Sequence, residues 1–254
     1  MGDTRRPPGH RRSATVAAMA RGVSVDLQGR PHRRFNPLSG EWVLVSPDRS
    51  LRPWRGEVDR GPDEERAAYD PACYLCPGNR RAGGERNPDY RHTFVFTNDF
   101  PALLPDTPPG QATEDRLLQA RGERGTCRVV CFSPRHDLSL GELKPGELGR
   151  VVEVWAEQHG ELAQDPAIEH VQIFENRGAM MGASNPHPHC QIWATEHLPL
   201  HVMREQEQQL RHHGEAGGSL LADYLALETA VGERLVCENR HFVVVRSHVT
   251  NSHK

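Results

Sequence analysis

A chain of 254 residues, 36% of them hydrophobic, can bury a core without disulfide staples and has room for one large domain or two small ones. Its 31 Lys and Arg against 34 Asp and Glu leave a net charge of −3, so no overall field draws in nucleic acid and any anionic ligand must be held locally. The longest apolar runs, Trp42–Val45 and Phe242–Val245, are four residues against the roughly twenty of a membrane helix, so no membrane partner is expected.

Six cysteines with no apolar leader read as reduced thiols in the cytoplasm rather than as a secreted disulfide framework. The N-terminal 30 residues carry Arg5, Arg6, Arg11, Arg12 and Arg21, with no acid between residues 4 and 25. Mitochondrial presequences share that composition, but Pro7-Pro8-Gly9 breaks an early amphipathic helix, and residues 1–30 are expected to be a disordered basic extension. Residues 33–46 predict a hairpin around the Asn-Pro-Leu-Ser-Gly turn. From Pro47 to Arg91 there is no period, so a long, functional loop is expected. Strands follow at residues 93–97 and 126–132, separated by a Pro/Gly-rich connection around Pro105 to Gly110.

Leu148, Val151, Val152, Trp155 and Leu162 predict an amphipathic helix over 145–164. Strands at 171–175 and 189–195 flank a glycine-containing loop. Helices are predicted over 198–210 and 220–231, the last capped by Ser219, and a hairpin around Glu238-Asn239 closes the pattern. Strands that run as neighbours with few helices between them argue for an α+β fold, a mostly antiparallel sheet with flanking helices.

The chemistry concentrates in residues 174–193. Pro186 and Pro188 force their predecessors into extended backbone, and alternation then turns His187, His189 and Gln191 to one face and Cys190 and Ile192 to the other. Gly178 and Gly182 allow a preceding loop to bring N–H groups close to a phosphate. A neutral imidazole can attack phosphorus without first losing a proton and can pass the group on, which suits a two-step transfer. A second constellation is Cys73-Tyr74-Leu75-Cys76, whose two-residue gap lets both thiolates reach one tetrahedral metal. Candidates for the other ligands are Cys127 with Cys131, His136, and one of the two His-Pro-His imidazoles. Cys127 and Cys131 on one strand are about 13 Å apart at ~3.3 Å per residue, too far to share an ion. His136 and His187 are better placed. Cys127, Cys131, Cys190 and Cys237 are expected to be small core residues.

Taken together, Phe35–Leu38, Glu41–Pro47, Arg52-Pro53-Trp54, Cys73–Cys76, Phe96–Phe100, Cys131–Pro134 and the Asn176–Trp193 block resemble the galactose-1-phosphate uridylyltransferases of the histidine-triad superfamily over about residues 30–245. The resemblance implies a histidine-triad-like fold over residues 31–246. It also implies ping-pong chemistry: UDP-glucose gives its uridylyl group to His189, glucose 1-phosphate leaves, and galactose 1-phosphate takes the group as UDP-galactose.

Gln191 matches the position that hydrogen-bonds the phosphoryl oxygens. Gly182, Ala183 and Ser184 match positions beside the phosphates, Ala183 standing where many members have Cys. Asn98, Asp99 and Asn176 match positions of the nucleotide site, and Arg49 and Arg52 match arginines that reach into the partner's site of a homodimer. The family's structural zinc ligands fall on Cys73, Cys76, His136 and His187. Glu205 matches a ligand of a second metal, iron or zinc, whose histidines lie in a second half expected to be missing here, with residues 247–254 a divergent polar tail. Two alternatives accompany this reading: an impaired, shortened form serving only as a zinc-stabilised dimerisation or remnant module, and a dinucleoside-polyphosphate hydrolase or phosphorylase using the same histidine.

Overall fold

The computed structural model describes residues 27, 29–47, 66–178, 181–183 and 185–249; the calls on residues 1–26, Arg49, Arg52 and Ser184 lie outside them. In chain order the elements are β1 (His32–Asn36), β2 (Glu41–Val45), β3 (Phe94–Thr97), β4 (Gln111–Asp115), β5 (Leu118–Arg121), β6 (Gly125–Cys131), α1 (Pro145–Leu162), β7 (His170–Phe174), β8 (His189–Thr195), α2 (Leu200–Ala216), α3 (Leu220–Val231), β9 (Leu235–Glu238) and β10 (Val243–Val245). This is the expected α+β class, and every pairing between these strands is antiparallel. Two compact units result, one from residues 55–217 and the other from residues 1–54 with 218–254.

The unit spanning 55–217 is organised by a four-stranded sheet of order β3-β6-β8-β7. β6 is buried along most of its length because Val129, Val130 and its cysteines are compact enough for the middle of a sheet. Gly125 opens it where a Cβ would lie 2.2 Å from the Ala194 carbonyl oxygen, so only glycine fits that approach. In β8 burial alternates strictly, as the extended-chain reading requires: Cys190, Ile192 and Ala194 are buried, while His189, Gln191, Trp193 and Thr195 are half-buried on the other face.

α1 covers the Cys190 face. Pro145 sets its first turn, and Glu147 reaches back to the Lys144 N–H at 3.0 Å. Val151 and Leu162 join Val130, Ile192 and Ala194 in one core, each large apolar side chain contributing about 1.5–3 kcal/mol, and the Trp155 indole donates to Cys190 Sγ at 3.2 Å. Leu148 and Val152 lie at the edge of the predicted stripe and are 37% and 52% exposed, because Val152 is turned a full 100° from Val151. With one face under α1, the chemistry is left to the opposite face.

Three features differ from the sequence-based expectations. The β4–β5 hairpin was not anticipated, since β5 is exposed throughout and the pair carries no apolar alternation. α2 runs on through a polar stretch to Ala216 and stops only where Gly217 takes φ +72°. Cys237, expected in a core, is exposed, because β9 pairs only with β10 in a two-stranded ribbon.

In the second unit the predicted hairpins form as β1–β2 and β9–β10, and the Ser219 hydroxyl caps α3. Glu228, 1% exposed, takes the Arg234 Nε at 2.8 and 2.9 Å on its two oxygens, which satisfies a carboxylate that would otherwise be costly to bury. The His248 carbonyl accepts from Arg34 Nη1 at 2.9 Å, so the stretch just past Arg246 is tied to β1.

Candidate functional site

Cys73 and Cys76 sit in a tight turn whose carbonyls are all claimed. Asn79 Nδ2 donates to the Cys73 carbonyl, Asn87 Nδ2 to those of Tyr74 and Cys76, and the Tyr90 hydroxyl to that of Leu75. The Leu75 N–H donates to Cys73 Sγ at 3.3 Å. Held this way, both sulfurs face the same point. His136 arrives from the loop after β6, its N–H bonded to the Ala68 carbonyl, and His187 from the segment leading into β8.

The four ligand atoms lie within 4.8 Å of one another, and all four residues are buried. Cys76 Sγ is 3.6 Å from His136 Nδ1 and 3.5 Å from His187 Nδ1. Zinc bonds of about 2.3 Å to sulfur and about 2.05 Å to nitrogen at a tetrahedral angle would set such atoms ~3.6 Å apart. The cluster therefore fits a tetrahedral divalent ion, compatible with zinc. The tautomer of His187 fits too. Its Nε2 lies 3.1 Å from the Ser133 carbonyl; a carbonyl can only accept, so Nε2 carries the hydrogen and Nδ1 turns a lone pair toward the sulfurs.

Burial draws the His187 imidazole pKa down to about 4, keeping it neutral, and lifts the Cys76 thiol to about 11. Asn185 Oδ1 accepts the His187 N–H at 2.8 Å and lies 3.5 Å from Cys73 Sγ. Tyr90 and Cys131 pack against the same cluster, on the sheet face that α1 leaves open.

His189, two residues on, is oriented by the backbone of its neighbour. Its Nδ1 lies 2.7 Å from the His187 carbonyl, which makes Nδ1 the protonated nitrogen and leaves Nε2 as the nucleophilic one. Gln191, next on the same face, accepts the Trp193 indole N–H on Oε1 at 3.1 Å, so its NH2 group is the end presented for donation. The β7–β8 register ends where Phe174 pairs with Gln191, and Asn176 lies two residues past the end of β7.

Gly182 adopts φ +80°, and the Ala183 N–H is already given to the Gly178 carbonyl at 3.2 Å. At the exit of β3, Asn98 donates its N–H to the Cys127 carbonyl, and its side chain accepts from the Phe100 N–H. The Asp99 carboxylate is engaged by Arg81 and by the Gly83 N–H. Glu205 stands exposed on α2, outside the only cluster of three or more metal-ligating groups among the described residues.

Sequence reasoning passed over Arg81, Tyr90, Asn185 and Trp193. Asn185, in the Asn-Pro-His run, was the one with a local signal, since Asn side chains commonly accept the N–H two residues on.

The Cys2His2 cluster and His189 thus sit together on an α+β scaffold, and that scaffold is of the uridylyltransferase-like class. A solved uridylyltransferase superposes with a TM-score of 0.56 at 25% identity, covering 82% of this chain and 59% of that one. The sequence model of galactose-1-phosphate uridyl transferase, N-terminal domain, matches residues 23–199, and the chain belongs to that family. It is 49% identical over 215 residues to the galactose-1-phosphate uridylyltransferase of Haemophilus influenzae, covering 85% of this chain and 61% of that protein. It is 44% identical over 220 residues to that of Cryptococcus neoformans, covering 84% and 58%. The chain thus spans about three fifths of the length of these curated relatives.

Proposed function

We propose that this chain catalyses uridylyl transfer between UDP-glucose and galactose 1-phosphate through a covalent intermediate on His189. The observation that carries the reading is the His189 Nδ1 to His187 carbonyl bond of 2.7 Å, which orients the imidazole for attack through Nε2. His189 Nε2 forms a bond to the α-phosphorus of UDP-glucose as the bond to the β-phosphate oxygen breaks, and glucose 1-phosphate departs without needing a proton. The hydrogen stays on Nδ1 and is donated to the His187 carbonyl throughout, so the positive charge that develops on the ring meets a fixed dipole. A phosphate oxygen of galactose 1-phosphate then displaces His189, giving UDP-galactose and restoring the imidazole.

In this reading the Gln191 NH2 donates to the non-bridging oxygens that gain charge. Asn98, Asp99 and Asn176 line the nucleotide site, and Gly182, Ala183 and Ser184 lie beside the phosphates. Arg49 and Arg52 serve the partner's site in a cytoplasmic homodimer. Incubation with UDP-glucose labelled in the uridylyl group should leave an acid-labile label on the protein that galactose 1-phosphate discharges as UDP-galactose; no label at any protein concentration rejects the reading. Gln191→Ala is expected to slow labelling by about 10²–10³-fold with zinc content unchanged, the usual effect of deleting one preorganised donor.

The metal in this reading is zinc, held by Cys73, Cys76, His136 and His187, with Glu205 a ligand of a second metal. With all four positions taken by protein, zinc supplies rigidity rather than a site for substrate. It anchors the residue whose carbonyl aims His189. The raised Cys76 pKa gives a pH dependence: below about 11 the metal-free thiol holds its proton, and binding must expel it. Apparent zinc affinity should therefore climb with pH, by at least about tenfold per unit between pH 6.5 and 8.5, in a chelator competition series. A flat profile would remove Cys76 from the ligand set.

A further inference from the structure

Arg81 carries a cation into a nearly closed environment, its side chain only 7% exposed, and nothing in the transfer chemistry above uses it. Such a charge is costly unless paired and hydrogen-bonded. Its Nε donates to Asp99 Oδ1 at 3.2 Å, and the guanidinium also pairs with Glu85. The guanidinium carbon stands 4.4 Å from the centre of the Phe96 ring, a desolvated cation–π contact. Phe96 stacks on Phe94 at 5.4 Å and Phe94 on Tyr90 at 5.0 Å, and the Tyr90 hydroxyl is bonded inside the Cys73–Cys76 turn. The cation thus rests on a column of rings founded on the metal cluster.

At the other end of the column the Asp99 carboxylate is held on both oxygens, since its Oδ2 accepts the Gly83 N–H at 3.1 Å. A Cβ at position 83 would fall 2.8 Å from Asp99 Cγ, so the backbone approaches the carboxylate as closely as it does only because residue 83 is glycine. An ionised carboxylate offers about four acceptor positions. Two are taken here, which leaves the others aimed in a set direction before any ligand arrives.

We propose that Arg81 is a positioning residue for the donor nucleotide: stacked on Phe96 and paired with Asp99, it presets the carboxylate that the nucleotide meets. This rests on the reading of Asp99 as a nucleotide contact. Without the guanidinium the carboxylate keeps one tether and must be ordered by the ligand itself, so binding weakens while the chemical step at His189 is spared.

The test compares zinc-loaded wild type with Arg81→Met, Arg81→Lys and Gly83→Ala, by calorimetric titration with UMP and by the rate of uridylyl labelling over a range of UDP-glucose concentrations. Arg81→Met is expected to weaken UMP binding, and to raise the half-saturating UDP-glucose concentration, by about tenfold. The saturated labelling rate should stay within about twofold of wild type, with one zinc per chain, and Arg81→Lys should recover part of the loss. Gly83→Ala keeps the cation but drives a methyl group against Asp99, so it should weaken UMP binding in the same way even if Arg81→Met does not fold.

UMP affinity within about twofold of wild type in the folded variants overturns the proposal, and so does a saturated rate that falls in step with zinc content. If wild type never labels His189 yet Arg81→Met or Gly83→Ala still weakens UMP binding, uridylyl transfer is rejected and the positioning role stands. A wild type that does not bind UMP rejects both.

Discussion

Replacing His189 by Ala is expected to lower uridylyl labelling and UDP-galactose formation by on the order of 10⁴-fold or more, the scale on which single nucleophiles fail. The nearest imidazole in the chain cannot take over. His187, two residues earlier, has its Nδ1 turned toward Cys76 and its Nε2 hydrogen given to the Ser133 carbonyl, and it is fully buried. The substitution removes one hydrogen bond, worth about 1 kcal/mol, so the variant should fold and keep its metal. The measurement is label per chain in the zinc-loaded variant against wild type. A variant that still labels within tenfold of wild type would place the nucleophile elsewhere.

Cys76→Ser should lose the bound metal and, with it, much of the stability of the unit spanning residues 55–217. Cys76 is 0% exposed, its sulfur reaches both imidazoles, and metal-binding free energy is folding free energy where no site exists in the unfolded chain. If only about 4 kcal/mol of that is lost, a shift of ~2–4 °C per kcal/mol for a unit of this size predicts a thermal midpoint lower by about 8–16 °C. Cys127→Ser is the control, because Cys127 is buried to 1% exposure yet stands outside the ligand group. It should retain a full complement of metal. Equal metal content in the Cys76 and Cys127 variants, measured by atomic emission, would overturn the four-residue assignment.

Much of the fold was legible because its signals are local. β8 could be read from seven residues, since proline geometry and alternation act over one or two positions and the sheet then buries Cys190, Ile192 and Ala194 as a set. α1 was equally plain from its apolar spacing. The β4–β5 hairpin was not, because β5 is exposed throughout and the pair leaves no period in the sequence. The end of α2 was set by Gly217 in left-handed backbone rather than by the last apolar residue. Of the candidate site, spacing alone placed His187, His189 and Gln191 on one face and paired the two Cys-x-x-Cys thiols, while the separate parts given to the two imidazoles came from the family resemblance. The residues that support them were scattered: Tyr90, Asn185 and Trp193 act on main-chain groups or on neighbours whose positions no local pattern reveals.

By itself the amino-acid sequence determined which groups can do chemistry here: two thiols spaced for one ion and two imidazoles separated by proline. It could not decide which partners those groups have, because a contact across long stretches of chain depends on how strands register and loops close. Folding brings His136 and His187 to Cys76 across 60 and 111 residues. It gives His189 a carbonyl that selects its tautomer, and it pairs Arg81 with Asp99 over a stack of rings. Each of these turns on a lone pair or a charge meeting its complement within about 3.5 Å, a scale that only packed tertiary structure resolves.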